Sequence, residues 1–170
     1  MKIKYISLSI AFMLFSISMI AQSKVGTVNV NEILSKLPEL VTVNSTVTAY
    51  NSSLEKTLSD KITIYKTKLE AYKKNAETYN DVMKKTMGDE LYGLENDIKK
   101  FQQNGSQLTQ IKQDDLLRPL YKKISEMIAV VAKEQKYTQI LTVDGNEFAY
   151  VDEKFDITTI VKTRLGIPTK

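Results

Sequence analysis

The sequence predicts an α+β protein in which a small β-containing body carries a long antiparallel α-helical hairpin, a coiled-coil arm. Three observations predict this fold class. The central segment, residues 39–136, holds one Pro and three Gly among nearly a hundred residues, which is typical of long helices. Its apolar residues recur at alternating steps of three and four, which is the spacing of a coiled-coil seam. The flanking segments, residues 22–38 and 137–170, are instead rich in β-branched residues with strand spacing.

The first 21 residues have the pattern of a secretory signal peptide. Lys2 and Lys4 precede an apolar run from Ile6 to Ile20, and the small residue Ala21 ends it. A membrane anchor is the alternative, but the run of about 15 residues is shorter than the roughly 20 that a spanning helix needs. The sequence therefore predicts export, cleavage after Ala21 and a mature chain in the periplasm.

The composition argues against catalysis. The chain has no His and no Cys, so it lacks the commonest general base, the commonest metal ligand and any disulfide. No glycine-rich phosphate loop, nucleophile elbow or CxxC motif occurs. Loss of the first 21 residues lowers the formal net charge from +4 to about +2, which does not indicate a nucleic-acid partner. The sequence predicts no enzyme, no cofactor and no metal site.

The two flanking segments predict short strands that meet in one body. Val28 and Val30 alternate with polar residues, as in a strand. Near the C-terminus, the β-branched residues 138–143, the turn residues 144–146 and the apolar residues of 147–151 predict a β-hairpin. With the first strand added, the expected sheet has three strands.

Helix caps and body size complete the prediction for these segments. Asn31 is a candidate N-cap of a short first helix, and Asp156 is a candidate cap of a terminal helix that ends at Gly166. A body this small is marginal alone, which predicts oligomerisation. The apolar residues expected in or beside the subunit interface are Val28, Val30, Leu141, Val143, Phe148 and Tyr150.

The arm, predicted as residues 39–136, carries the coiled-coil seam. The residues expected in this seam, or facing a bound protein, are Ile62, Tyr65, Leu69, Tyr72, Tyr79 and Met83, with Ala76 between the last two tyrosines. A second seam runs through Leu91, Leu94, Ile98, Phe101, Leu108 and Ile111. The residues of a candidate basic face are Lys66, Lys73, Lys74, Lys84 and Lys85.

The two seams are expected to pack together as a hairpin with its tip near residues 86–89. This segment breaks the seam, supplies a turn-forming Gly and Asp, and lies close to the midpoint of the arm. Antiparallel pairing about this point would place Met83 opposite Leu91 and Ile62 opposite Ile111.

Several features of the arm allow two interpretations. The tyrosines could grip a bound protein, but their spacing favours a role in holding the arm together. The lysines could attract acidic proteins or a membrane surface, or could simply form the solvated face of a coiled coil. Gly105 occupies a seam position opposite the expected Leu69, and predicts either a hinge or a close helix crossing.

The order of these pieces resembles the Skp/OmpH-like family of periplasmic chaperones. The likeness covers nearly the whole mature chain. The segments that carry it are Val25-Gly26-Thr27-Val28-Asn29-Val30-Asn31, Glu32-Ile33-Leu34, Leu37-Pro38-Glu39, Leu117-Arg118-Pro119-Leu120, Lys123-Ile124, Val131-Ala132-Lys133-Glu134, Tyr137, Ile140-Leu141-Thr142-Val143, Phe148-Ala149-Tyr150, Asp156-Ile157-Thr158 and Val161.

The resemblance implies a function and an assembly. Members of that family are homotrimers whose hairpins surround a cavity and hold unfolded outer-membrane proteins without ATP, so these proteins are the implied partners. Family arms are often strongly basic, whereas residues 39–136 here hold 16 basic and 14 acidic side chains. This departure favours holding by apolar contact over electrostatic capture. A structural or adaptor coiled-coil protein of the cell envelope is the alternative.

Overall fold

The computed structural model describes residues 23–168, and the predicted signal peptide lies outside the described residues. The α+β class is confirmed, since two short strands accompany two long helices. The described chain divides into two compact units. We call residues 23–36 and 123–168 the body, and residues 37–122 the arm.

The body contains a two-stranded parallel sheet. The strand β1, Val25–Val28, pairs with β2, Gln139–Thr142, and the first residues of the two strands lie opposite each other. Parallel strands cannot be joined by a tight turn, because the chain must return to the starting end before the second strand begins. Here the returning connection is the helical hairpin.

The hairpin consists of two long helices after a short first helix. The first helix, α1, is Val30–Lys36. The hairpin helices are α2, Glu39–Asn75, and α3, Asp81–Glu134. Pro38 directly precedes α2, where a residue that cannot donate a backbone hydrogen bond costs little, because the first N–H groups of a helix have no partner within it.

The turn of the hairpin lies at residues 76–80, so the predicted tip at 86–89 is wrong. Asn75 O accepts the N–H of Thr78 at 2.9 Å, and Asn80 Oδ1 caps α3 by accepting the N–H of Met83 at 2.8 Å. Residues 86–89 are helical. A single Gly in a helix costs only about 1 kcal/mol relative to Ala, so a Gly without local capping residues does not end one.

The pairing of the two helices differs from the prediction accordingly. Lys61 contacts Asp97 at 2.5 Å, and Lys68 contacts Glu90 at 2.5 Å. The midpoint of each pair is residue 79, against residue 87 for the predicted pairs. A given seam residue of one helix therefore faces a residue of the other helix that lies about two heptads from its predicted partner. Apolar periodicity cannot separate registers that differ by whole heptads, because both bring the same seams together.

The predicted C-terminal β-hairpin is wrong. Its tight turn forms, with Gly145 at a φ of 70°, but residues 147–151 form no strand. The edge of β1 that faces away from β2 is occupied by the chain just before the last helix. Thr27 pairs there with Asp156, and the carbonyl of Thr27 accepts the N–H of Ile157 at 2.9 Å. The sheet thus has two strands where three were predicted.

The first helix is capped by the residue directly before it, Asn29, and by Asp144 from a distant part of the chain. Asn29 Oδ1 accepts the N–H of Glu32 at 2.7 Å. Asp144 Oδ2 accepts the N–H groups of Val30 and Asn31 at 2.6 and 3.0 Å. The prediction that Asn31 caps this helix is therefore wrong, because Asn29 caps it two residues earlier and a carboxylate 114 residues further along the chain accepts the next free N–H groups.

The last helix, α4, is Thr158–Arg164, and a 3-10 turn at Glu153–Phe155 precedes it. Asp156 Oδ1 accepts the first N–H of α4 at 2.6 Å, as predicted for a cap. Gly166 has a φ of 75° just after the helix, which confirms the predicted end.

The core of the body takes side chains from α1, from the end of α3 and from the α4 region. The fully buried residues are Ile33, Ile124, Val131, Ile157 and Val161. Two of them lie in the last turns of α3. The body therefore begins again at residue 123, whereas the sequence interpretation placed its second segment at 137–170.

Gly26 lies at the most closely packed point of the sheet. A Cβ here would lie 2.6 Å from Tyr137 Cε1 and 2.9 Å from the carbonyl oxygen of Phe155. Lys24 Nζ donates to the carbonyl of Gln135 at 2.8 Å and lies 4.0 Å from the centroid of the Tyr137 ring. Burial raises the pKa of the Tyr137 hydroxyl above its ordinary value, so the ring stays neutral beneath the ammonium group.

We predict that Gly26→Ala destabilises the body, because the added methyl group overlaps a backbone oxygen that cannot move freely. Overpacking of this kind costs about 1–3 kcal/mol. Gly93→Ala is the matched control, since a Cβ at Gly93 meets nothing within 4 Å and should stabilise the helix by up to about 1 kcal/mol. Urea denaturation followed by circular dichroism measures both, and equal stabilities would contradict the prediction.

We also predict that Asp144→Ala lowers the free energy of unfolding by about 1 kcal/mol, the usual cost of losing an N-cap. The melting temperature should fall by about 2–4 °C for a chain of this size. Asp144→Asn keeps one acceptor oxygen and should lose less. If Asp144→Asn proves as unstable as Asp144→Ala, the hydrogen bonds to α1 are not the source of the effect.

Candidate functional site

The residues of the predicted arm seam differ in exposure. Ile62, Tyr65, Leu69, Tyr72 and Tyr79 are half-buried. The rings of Tyr72 and Tyr79 lie 6.1 Å apart between centroids, across the start of the turn. Each tyrosine therefore covers the seam with part of its surface and presents the rest to solvent, as an amphipathic side chain can.

Two members of the predicted seams face solvent. Met83 and Ile111 are each 49% exposed. The position of the turn explains the exposure of Met83. This residue lies in the first turn of α3, whereas the prediction placed it in the last turn before the tip.

A polar contact lies between the two helices closer to the body end of α2. Thr109 Oγ1 donates to Asn51 Oδ1 at 2.5 Å, and both residues are partly buried. A buried polar pair selects one register, because sliding either helix would leave both groups without a partner. Together with the ion pairs of Lys61 and Lys68, it identifies the register that the apolar spacing left undecided.

The predicted basic face is exposed along its whole length. Lys66, Lys73, Lys74 and Lys84 have no charged partner among the described residues. Lys85 forms an ion pair with Asp89 at 2.7 Å. The hydrogen bond to Asp89 raises the pKa of Lys85 above its ordinary value, so this ammonium group also stays charged at neutral pH.

Sequence analysis missed a set of apolar side chains on the distal part of the arm. They are strongly exposed and lie outside the heptad seam, and they are Ile64, Val82 and Tyr92, at 49%, 74% and 68% exposure. Their signal was present in the sequence, since an apolar residue at a non-seam position of a two-helix arm has no helix to cover it. Exposed apolar side chains on helices that also carry exposed lysines give the distal arm an amphipathic character, a property of protein-binding surfaces.

A groove of about 270 Å³ opens on the arm at Gly105. Its walls come from about two turns of α2 and the facing turn of α3. Its lining residues are Asn51, Leu54, Glu55, Leu58, Phe101, Gln102 and Gly105. A Cβ on Gly105 would meet nothing within 4 Å, so the predicted alternative of a close helix crossing is wrong. In the observed register this glycine lies near Leu54, not opposite Leu69.

The predicted interface residues of the body fall into two groups. Val28 is only 2% exposed and belongs to the subunit's own core, while Val30, Leu141 and Val143 are half-buried. Phe148 and Tyr150 are 39% and 81% exposed. No described residue pairs with the outer edge of β2, which leaves backbone groups of this strand open to a further strand.

Two further properties concern the described chain. No group of three or more acidic side chains within residues 23–168 is placed to hold a metal ion. None of the helices in this range is both long and apolar enough to cross a membrane.

Comparison with known proteins identifies the family. No curated protein matches the chain. A solved structure that is described as a candidate outer membrane chaperone (OmpH-like) from Caulobacter crescentus CB15 is similar in fold, with a TM-score of 0.64. Its sequence identity is 16%, and the match covers 85% of each chain. The family model described as outer membrane protein (OmpH-like) matches residues 24–165, nearly all of the described chain. The chain thus belongs to the OmpH-like family.

Proposed function

We propose that this protein is an ATP-independent holdase chaperone of the periplasm. As a homotrimer, it would keep unfolded outer-membrane or other envelope proteins soluble between its helical arms. The observation that carries the proposal is the exposure of apolar side chains on the distal arm, where Ile64, Val82 and Tyr92 lie outside the seam on helices that also carry exposed lysines. Membership of the OmpH-like family supports a chaperone-type role.

The chemistry of the arm fits unfolded outer-membrane proteins as clients. Their strands alternate apolar and polar residues and carry aromatic residues at both membrane interfaces. An unfolded chain of this kind exposes single apolar side chains separated by polar ones. The distal arm likewise exposes separate apolar side chains, which could contact them. Contacts of this type are individually weak, which suits a chaperone that must also release its client.

Charge has a secondary role in this proposal. The predicted arm segment has nearly equal numbers of basic and acidic side chains, and several lysines are already paired with carboxylates. The remaining lysines would speed the first encounter with an acidic client, or with an anionic membrane surface, more than they would strengthen holding. No nucleic-acid partner is proposed.

Trimer formation would involve the exposed face of the body. A two-stranded sheet is marginally stable in water, and the free edge of β2 can accept another strand. Residues 147–151 are mostly apolar and include residue types that favour strands, but they form no strand within the subunit. We propose that this segment of one copy covers the β2 edge of another, so that Phe148 and Tyr150 become buried.

The function is tested by dilution of a urea-unfolded outer-membrane β-barrel into the mature protein, without ATP and with a metal chelator. We predict that light scattering by the aggregating barrel is suppressed. A triple substitution, Ile64→Ser, Val82→Ser and Tyr92→Ser, should weaken the suppression severalfold, because it removes the exposed apolar groups. The control replaces Lys66, Lys73 and Lys84 with Gln and should retain most of the activity. Unchanged activity of the serine variant, or dependence on ATP, would exclude this mechanism.

The assembly is tested by sedimentation of the mature protein at micromolar concentration, where we predict a trimer. Phe148→Ser with Tyr150→Ser should shift the equilibrium toward monomer, because both side chains would lose their cover. Tyr92→Ser removes another exposed aromatic residue, this one from the arm, and should leave the trimer intact. A folded monomer of the unsubstituted protein would rule out the proposed assembly, and would favour a structural or adaptor role.

A further inference from the structure

The groove at Gly105 lies where a predicted seam position has no side chain. Leu54 and Leu58 of α2 and Phe101 of α3 form its apolar floor, and all three are half-buried. A larger residue at position 105 would complete the seam, since a Cβ there has open space around it. The absent side chain therefore creates the volume, and no other part of the described arm fills it.

The size of the groove limits what can enter. Its volume of about 270 Å³ lies below the range of about 300–1,000 Å³ typical of sites for whole small-molecule ligands. It exceeds the roughly 150 Å³ of an engineered apolar cavity that binds benzene. One aromatic side chain matches this volume, and Phe101 offers it a ring partner, because aromatic rings stabilise one another in offset or edge-to-face contact.

The rim of the groove adds a charge preference. Glu55 is exposed at the rim and has no ion pair among the described residues. The nearby cation Lys61 is engaged elsewhere, since its Nζ contacts Asp97 at 2.5 Å, and the same Nζ lies 5.5 Å from the centroid of the Phe101 ring. Gln102, on the opposite wall, supplies a neutral amide that can donate and accept hydrogen bonds. A cationic residue beside the inserted aromatic ring would therefore meet an uncompensated carboxylate.

We propose that this groove is a client subsite, which takes one aromatic side chain from an extended, unfolded segment that carries a basic residue beside it. The inference rests on the proposed holdase function and specifies which client segments the arm prefers. Each arm would then provide one anchor for an aromatic residue, in addition to the diffuse apolar contacts of the distal surface.

The test uses the absence of Trp from the chain, which makes the fluorescence of a Trp-containing peptide a direct measure of binding. The mature protein is titrated into a nine-residue peptide of Gly and Ser with Trp-Arg at its centre. We expect a blue-shifted, saturable emission. A matched peptide with Trp-Glu should bind more weakly, by up to about fivefold, the usual range of one exposed ion pair. The Glu55→Gln variant should bind the Trp-Arg peptide more weakly than the unsubstituted protein does, by the same factor of up to about fivefold.

Three glycine variants separate the volume of the groove from helix stiffness. Gly105→Leu fills the groove and should weaken Trp-Arg binding at least about tenfold, the effect of losing one ring contact and its buried area. Gly93→Leu adds the same side chain to the same helix, away from the groove, and should bind normally. Gly105→Ala stiffens the helix but fills little volume, so it should keep most of the affinity. Circular dichroism checks that all three remain folded.

The outcomes distinguish this inference from the proposed function. Peptide binding that is lost in Gly105→Leu and kept in Gly93→Leu supports the subsite, whether or not the protein suppresses aggregation. Equal binding by these two variants overturns the subsite and leaves the holdase proposal standing if the barrel is still kept soluble. Loss of affinity in Gly105→Ala equal to that in Gly105→Leu would also overturn it, because flexibility and not volume would then control binding.

Discussion

The parallel pairing of β1 with β2 is the constraint on which the rest of this fold depends. Because the two strands run in the same direction, the chain must travel out and back between them, which an antiparallel pair of long helices accomplishes. The pairing also joins segments more than a hundred residues apart, and loop-closure entropy opposes such contacts. The hydrogen bonds of Asp144 to the start of α1, and of Ile157 to Thr27, reinforce the closure from both sides of β1.

Polar contacts choose the register of the hairpin. A heptad pattern is unchanged when one helix slides by seven residues, so apolar side chains alone permit several tips. Lys61 with Asp97, Lys68 with Glu90, and Asn51 with Thr109 are satisfied together in only one of them. The exposed ion pairs add little stability individually, yet each wrong register would lose all three contacts. Specificity of pairing and strength of pairing thus come from different residues.

The arm differs from an optimised coiled coil in ways that suit a binding surface. Val82 and Tyr92 place apolar surface outside the seam, and Gly105 leaves a gap inside it. Each feature lowers the stability of an isolated helix pair, since the first exposes apolar area to water and the second removes packing. Departures from a consistent packing pattern tend to mark functional positions. The binding roles proposed for the distal surface and the groove account for both departures.

The sequence by itself determined the fold class, the presence of two packed helices, the cap at Asp156 and the helix end at Gly166, because each depends on local periodicity or on a single residue's backbone preference. The same periodicity predicts the seam residues, of which Ile62, Tyr65 and Leu69 are half-buried. Only the tertiary structure decided the turn at residues 76–80, the helix register and the parallel sheet. The turn residues 144–146 indicated a β-hairpin by local chemistry, but Asp144 caps a helix 114 residues away, and no local pattern encodes such a contact.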